Sequence, residues 1–170
     1  MFFLAPSDTA VLVLEQGCAL QTFAKLIGGE LPKHKIEGND IAPLMFGQMD
    51  AKLPHSAFLS SYGGQLQAIR DARRKLHFPH QYRTMADKPG GKDGRPELYS
   101  QRKIGLELFD LDNDPREPMD VAKDHPEVVA RLQQLADVAS ADLGDTLTNV
   151  KGNGTRPAGK LGPQDEKLVW

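Results

Sequence analysis

Between residues 57 and 111 apolar and polar positions alternate in short bursts; between 124 and 143 they recur every three or four residues. The first spacing is that of half-buried strands and the second that of an amphipathic helix. Residues 57–62 predict a strand, Gly63-Gly64 a two-residue hairpin turn, and residues 65–69 the returning strand. On that second strand Leu66 and Ala68 are set against Gln65, Gln67 and Ile69. A turn at Asp71-Ala72-Arg73 leads into a third strand over 74–78. There Leu76 and Phe78 share one face, Lys75 and His77 the other, and Pro79 ends the strand. A long loop is expected over 80–100, with turns at Pro89-Gly90-Gly91 and Gly94-Arg95-Pro96. The fourth strand, 106–111, carries apolar residues on both faces, which predicts a place inside the sheet. Asp112-Asn113-Asp114-Pro115 stops it, because Asn and Asp bond their own backbone and Pro offers no ladder donor.

Asp124 and Glu127 have capping-box spacing, and Pro126 suits a first helical turn. Val128, Leu132, Leu135, Ala139 and Leu143 then form one stripe, with Gly144 as the stop. The expected fold is α+β: a four-stranded antiparallel sheet with one long C-terminal helix packed on it. Upstream, residues 21–27 predict a short helix with Phe23, Leu26 and Ile27 on one side and Gly28 as its stop. Residues 31–48 read as loop, with a helical turn over 41–46 that turns Leu44 and Met45 inward and Asp40 as its cap.

Composition sets outer bounds. A chain of 170 residues with a net charge of −2 has room for one domain and a modest core, and is not a membrane bundle or a histone-like basic protein. The single cysteine, Cys18, permits no internal disulfide. Charge is uneven: residues 70–103 hold ten Lys/Arg against four Asp/Glu, so they carry +6 and the remainder −8. Such a field attracts anions; it is equally the property of a solvated lysine-rich loop.

Residues 106–122, LELFDLDNDPREPMDVA, resemble the L-[FY]-D-L-x-x-D-P-x-E-x-x-[ND]-[VL]-A signature near the C-terminus of type I sulfatases, the arylsulfatases of the alkaline-phosphatase-like superfamily. TFAKLIGGELP, GNDIAPLMFGQ, GGQLQAIRDARRKLHFPHQYRT and HPEVVARLQQLADVASADLGD follow the same family's order, so the resemblance runs from about residue 22 to about 161. It implies the C-terminal subdomain over 21–144, an atypical and poorly ordered segment over 1–20, and a flexible tail over 145–170. Residues 1–20 lack the family's D-[LIV]-x-P-T lead-in, which suggests a displaced start, a frame change or a truncated gene.

The resemblance also implies chemistry. Relatives hydrolyse sulfate esters with a formylglycine, a divalent metal (calcium is expected) and Lys and His groups around the sulfate, all in a larger N-terminal domain. Cys18 is followed by Ala19-Leu20-Gln21-Thr22, which is not the C/S-x-P/A-S-x-R motif that yields formylglycine. No paired-Asp segment precedes the small domain either, so no catalytic residue and no metal ligand is assigned to this chain. In the family the strand and loop near residue 80 approach the active-site mouth, which makes His77, His80 and Arg83 substrate-entrance candidates.

Other motifs are weaker. Asp110-x-Asp112-x-Asp114 imitates a calcium loop but has Pro115 and Val121 where Gly and Glu belong. His77 and His80, three apart on a strand, point to opposite faces and lack a third ligand. PGGKDG lacks phosphate-loop spacing, and Asn153-Gly154-Thr155 is a formal glycosylation triplet. The expected role is a fragment that braces a sulfatase catalytic domain, its missing partner, and lines the substrate entrance. A full-length relative would take a sulfated small molecule or glycan; no nucleic acid or membrane partner is implied. The alternatives are a stand-alone module for polyanions or sulfated glycans, and a non-functional gene remnant. Relatives are often periplasmic, secreted or lysosomal, and the localisation of this chain is open.

Overall fold

The computed structural model describes residues 16–155 and 162, apart from 34, 37, 86, 87 and 96. Among these the order is α1 Gln16–Leu26, α2 Ala42–Met45, β1 Phe58–Tyr62, β2 Gln65–Arg70, β3 Arg74–His77, β4 His80–Thr84, β5 Ser100–Ile104, β6 Glu107–Asp110 and α3 Pro126–Leu143. The fold is α+β. β1, β2, β3 and β6 make one antiparallel sheet in that order, and α3 covers one face.

The β1–β2 turn needs two residues at positive φ, and Gly63 (φ 58°) and Gly64 (φ 79°) supply them. Within the same strand pair, pairing steps from Ser60↔Ala68 to Ser61↔Leu66, so Gln67 is an extra residue in β2. This bulge brings Leu66 and Ile69 to the same face, where strict alternation had set them apart. With Leu76 and Leu108 they meet Leu132 and Ala136 of α3 in the core. The β2–β3 turn is held by Asp71, whose Oδ1 accepts the N–H of Arg73 (2.9 Å) and Arg74 (2.6 Å). Its other oxygen meets Arg131 of α3, tying turn to helix.

The structure corrects several expectations. The 80–100 stretch is not one loop: β4 and β5 pair as a separate two-stranded sheet, from His80↔Ile104 to Thr84↔Ser100. Pro79 ends β3 but also redirects the chain into β4. β6 lies at the edge of its sheet rather than inside it. Its two apolar faces are nonetheless covered, Leu108 by α3 and Phe109 on the opposite side. Its open edge is closed locally: Asp120 Oδ1 accepts the Leu108 N–H (2.9 Å), and the Val121 N–H donates to the Leu108 carbonyl (2.8 Å).

The capping box does not form. α3 begins after His125, with no side-chain cap. Its inward stripe is Leu132 and Ala136, flanked by Val128, Val129 and Leu135, while Leu143 is exposed. An 18-residue helix is about 27 Å long, against about 20 Å for the six-residue β2, so α3 is longer than the strand it packs on.

Upstream, α1 starts at Gln16, inside the segment set aside as atypical, and ends at Leu26. Thr22, wholly buried, bonds the Cys18 carbonyl (2.7 Å) and accepts the Ile41 N–H (3.0 Å), fastening α1 to α2. In α2 it is the preceding Ile41 that is buried, and Met45 is exposed. Residues 1–15, 156–161 and 163–170, which take in most of the two expected poorly ordered ends, lie outside the described residues. Residues 145–155 fold back on the domain. Buried Asp145 accepts the N–H of Leu66 (3.0 Å) and Leu147 (3.0 Å) and the hydroxyl of Thr148 (2.8 Å). Burial pushes that carboxyl up, and these donors together hold it below the usual range.

Two predictions test this core. Leu76→Ala and Leu132→Ala should each cost about 2–5 kcal/mol in denaturant unfolding, whereas Val138→Ala, at 71% exposure, should stay within about 0.5 kcal/mol. Asp110→Asn leaves the Arg74 guanidinium, at 11% exposure, without its counter-charge, and should cost on the order of 3 kcal/mol. Equal effects at positions 132 and 138 would mean α3 does not pack as described.

Candidate functional site

The site grows from the acidic turn after β6. Asp110, at the strand's end, takes a two-pronged contact from Arg73: Nε–Oδ1 2.9 Å and Nη2–Oδ2 2.6 Å. Arg74 Nη1 adds an ion pair at 2.7 Å, outside hydrogen-bond angles. Asn113 Nδ2 adds a bond at 2.9 Å. The Arg73 contact, then Asn113 and Arg74, hold the Asp110 carboxyl well below the usual range despite its burial. The Asp114 N–H closes the turn on the Asp110 carbonyl (2.7 Å), and the Asp114 side chain accepts the Met119 N–H (3.0 Å).

This turn aims Glu117. Its φ of 59° lies in the left-handed region, a strain a non-glycine residue tolerates only when its surroundings fix it. Glu117 reaches back to β3, where Oε1 meets Lys75 Nζ at 2.8 Å and Oε2 lies 3.1 Å from His77 Nε2. His77 sits edge-on to Phe109 (5.7 Å between centroids) and stacks on His80 (5.8 Å, 14°). The two histidines expected on opposite faces therefore come together. Pro79 breaks the strand between them, so the alternation rule does not carry across. His80 is buried, and its Nδ1 bonds the Phe78 carbonyl at 2.7 Å, which leaves Nε2 as its other functional atom. His77 Nδ1 is buried with no hydrogen-bond partner among the described residues.

These groups line a cavity of about 530 Å³ on the face of the sheet away from α3. The β4–β5 hairpin contributes Tyr82, Lys103 and Ile104; Arg116 stands beside Glu117. Burial first, and then Lys75, push the His77 ring below its usual 6.5, with Glu117 opposing. The pocket can present a neutral imidazole, a second imidazole and several cationic side chains to a polar ligand.

Arg83 is not part of this cavity. It points to the other face of β4, where its guanidinium lies 5.8 Å from the Tyr62 ring centroid and 5.7 Å from that of Tyr99. Glu117, Lys75 and Phe109 were not singled out in advance. Glu117 occupies the fixed Glu position of the D-P-x-E motif, the one signal that pointed to it.

The residues present do not fit a divalent metal. Among the described residues no group of three or more His, Cys, Asp or Glu is placed to hold one. The carboxylates of the acidic turn are committed to arginine, lysine and backbone N–H groups. Cys18 is buried in α1 with its Sγ 3.5 Å from His55 Nε2 and 3.5 Å from the Asn39 N–H nitrogen, a packed thiol rather than an accessible one. No helix among the described residues is long and apolar enough to cross a membrane.

No protein-family model matches the chain. Arylsulfatase A from Homo sapiens is 29% identical to it over 127 residues, covering 68% of this chain and 24% of that protein. The chain thus spans about a quarter of the length of this relative. A solved structure described under the metabolism of multiple glycosaminoglycans by Bacteroides thetaiotaomicron is 24% identical, with a TM-score of 0.44, over 71% of this chain and 23% of its own. That likeness is too loose to argue from.

The His77–Glu117 contact yields a pH prediction. Because the folded pKa lies below the usual 6.5, the ring's contribution to stability is complete above that pH. It is lost as the pH falls below 6.5 toward the folded value, since the unfolded chain then binds more protons. Glu117→Gln removes the one group that favours the imidazolium, so the ring's NMR titration midpoint should move further down. An upward move would show that Glu117 does not face His77.

Proposed function

We propose that this chain, related in sequence to the sulfatases, is the small subdomain of a sulfatase-type enzyme, bracing a catalytic domain and lining its substrate entrance with His77 and His80. The observation that carries this reading is the cavity beyond the sheet. Residues of the sulfatase-like motif build it: Glu107 and Phe109 from β6 and Glu117 from the turn. It holds a buried imidazole nitrogen without a partner among the described residues, a group whose desolvation a ligand or abutting domain would offset. A sulfated ligand is the natural fit for Lys75, Lys103 and Arg116 around two histidines.

The bracing role has its own support. α1, α2 and their connections expose Phe23 (55%), Ile27 (81%), Phe46 (66%) and Met49 (101%), large apolar side chains gathered in one part of the chain. Exposed side chains of this size and number are what an abutting domain would cover. The human relative has three quarters of its length beyond the matched segment, enough to hold the catalytic domain that would cover this surface. In such an enzyme the formylglycine and the metal belong to the larger domain, and Arg83, on the other side of the hairpin, serves the outer rim.

The chain by itself should not hydrolyse an aryl sulfate. Purified 170-residue protein, incubated with p-nitrophenyl sulfate with and without calcium, is expected to show no turnover above buffer; metal-dependent turnover would overturn the reading. Sequencing of the transcript upstream of Met1 tests the bracing role. An in-frame segment with the C/S-x-P/A-S-x-R motif is expected. A stop codon there, with no such segment encoded beside it, counts against a sulfatase subdomain.

A further inference from the structure

A groove of about 820 Å³ lies between α3, the elbow that joins β3 to β4, and the loop that follows α3. Its apolar lining includes Leu66, Phe78, Pro79, Ala136, Leu147 and Val150. Leu66 and Ala136 are buried, whereas Val150 is 40% exposed, so the groove runs from the core out to the surface. Hydrogen bonds hold its far wall. Asp145 and Val150 exchange N–H to carbonyl bonds, at 2.9 Å in each direction. The Asp145 carboxylate is taken by the Leu66 and Leu147 N–H groups and the Thr148 hydroxyl. Asp137, exposed on α3, is the other carboxylate of the lining.

The chain leads back to this groove. The Asn153 N–H bonds the Ala141 carbonyl (3.0 Å) and the Gly154 N–H bonds the Asp142 carbonyl (2.8 Å). Thr155 therefore leaves the domain beside the last turn of α3, where Ser140 and Ala141 line the groove. From Thr155 to Trp170 is fifteen residues, a reach of up to about 50 Å. Residues 163–170, outside the described residues, read PQDEKLVW. A polar run ends in Lys167, and Leu168, Val169 and the chain's single tryptophan, Trp170, follow it.

We infer that Leu168, Val169 and Trp170 seat in this groove, with Lys167 against Asp137. An indole needs apolar walls and an acceptor for its N–H. The groove offers the first, and the side chains of Gln133, Ser140 and Thr148 offer the second. With the ring seated, Lys167 lies within about 10 Å along the chain, close enough to meet the carboxylate on α3. Other occupants fit less well. An anion would face Asp137 and Asp145 with no Lys or Arg in the lining. A metal ion would find the Asp145 oxygens already bonded. Seated there, the segment covers Phe78 and Pro79, the elbow that places His80 beneath His77. The inference is independent of the sulfatase reading, because groove and segment belong to this one chain.

The test uses Trp170 as its own probe. Intrinsic fluorescence of the 170-residue protein is compared with that of a synthetic peptide of residues 163–170. The protein's emission should be blue-shifted from the peptide's, and acrylamide should quench it several-fold less. Ala141→Arg fills the groove from α3 with a good helix former and should return both readings to the peptide's values. Val138→Arg, on α3 outside the groove at 71% exposure, should change neither. Asp137→Lys should weaken docking about two- to fivefold, as an exposed ion pair allows, and adding Lys167→Asp should recover it. Far-UV circular dichroism of each variant separates lost docking from lost fold; should Ala141→Arg lose the fold, the charge exchange at the exposed Asp137 carries the test. The inference fails if Trp170 in the protein matches the peptide, or if the shift survives Ala141→Arg, which would place the ring elsewhere. It fails also if the charge exchange recovers nothing, or if the shift fades on dilution, which would seat the segment on a second copy.

Discussion

The carboxylate of Asp110 is the joint on which the rest of the domain depends. It sits where β6 ends, opposite Arg74 where β3 begins, and it accepts from Arg73 and Asn113 as well. One buried anion thereby fixes the register of β3 on β6, the start of the turn and the position of two arginines. A buried charge is tolerable only when its donors are complete, and here the donors are structural elements themselves. Two more acids continue the work within ten residues. Glu117 returns to β3 through Lys75 and His77, and Asp120 closes the edge of β6 through the Leu108 N–H. Asp110, Asp114, Glu117 and Asp120 are therefore each engaged by arginine, lysine or backbone N–H groups of the domain itself.

The same wiring separates the molecule's two faces. Leu76 and Leu108 point to α3 and are fully buried, with nothing polar to place. One residue on either side, Lys75, His77 and Phe109 point the other way, where Lys75 and His77 meet Glu117 and Phe109 meets the His77 ring. Alternation along two paired strands thus gives a hydrophobic layer that supplies stability and a polar layer that can afford an orphaned imidazole nitrogen. The strain at Glu117 and the His77 Nδ1, which has no partner among the described residues, both fall in the polar layer.

Much of this was legible from the sequence because local pattern carried it. Period-two alternation located β1, β2, β3 and β6, Gly63-Gly64 marked the tight turn, and three- and four-residue spacing located α3. What escaped depended on partners far away in the chain. β4 and β5 are separated by the fifteen residues 85–99, and β5 reads Ser-Gln-Arg-Lys-Ile, a polar strand with no hydrophobic alternation to announce it. The bulge at Gln67 leaves no composition signal, yet it moves Leu66 to the other face. The capping box failed because the helix starts one residue later, after His125, and the Asp124 N–H that Glu127 would have accepted is bonded to the Val121 carbonyl.

The pairing of His77 with His80 shows how a single residue converts a structural pattern into a site. On an uninterrupted strand these side chains would stand on opposite faces, one facing α3. Pro79 removes a donor and ends β3, and the chain turns into β4 with the His80 Nδ1 bonded to the Phe78 carbonyl. That bond draws the second imidazole beneath the first, at 5.8 Å and nearly parallel. The hairpin that follows then walls the cavity with Tyr82, Lys103 and Ile104. The cavity is thus completed by one hairpin added beyond the four-stranded sheet, the element that the hydrophobic pattern concealed.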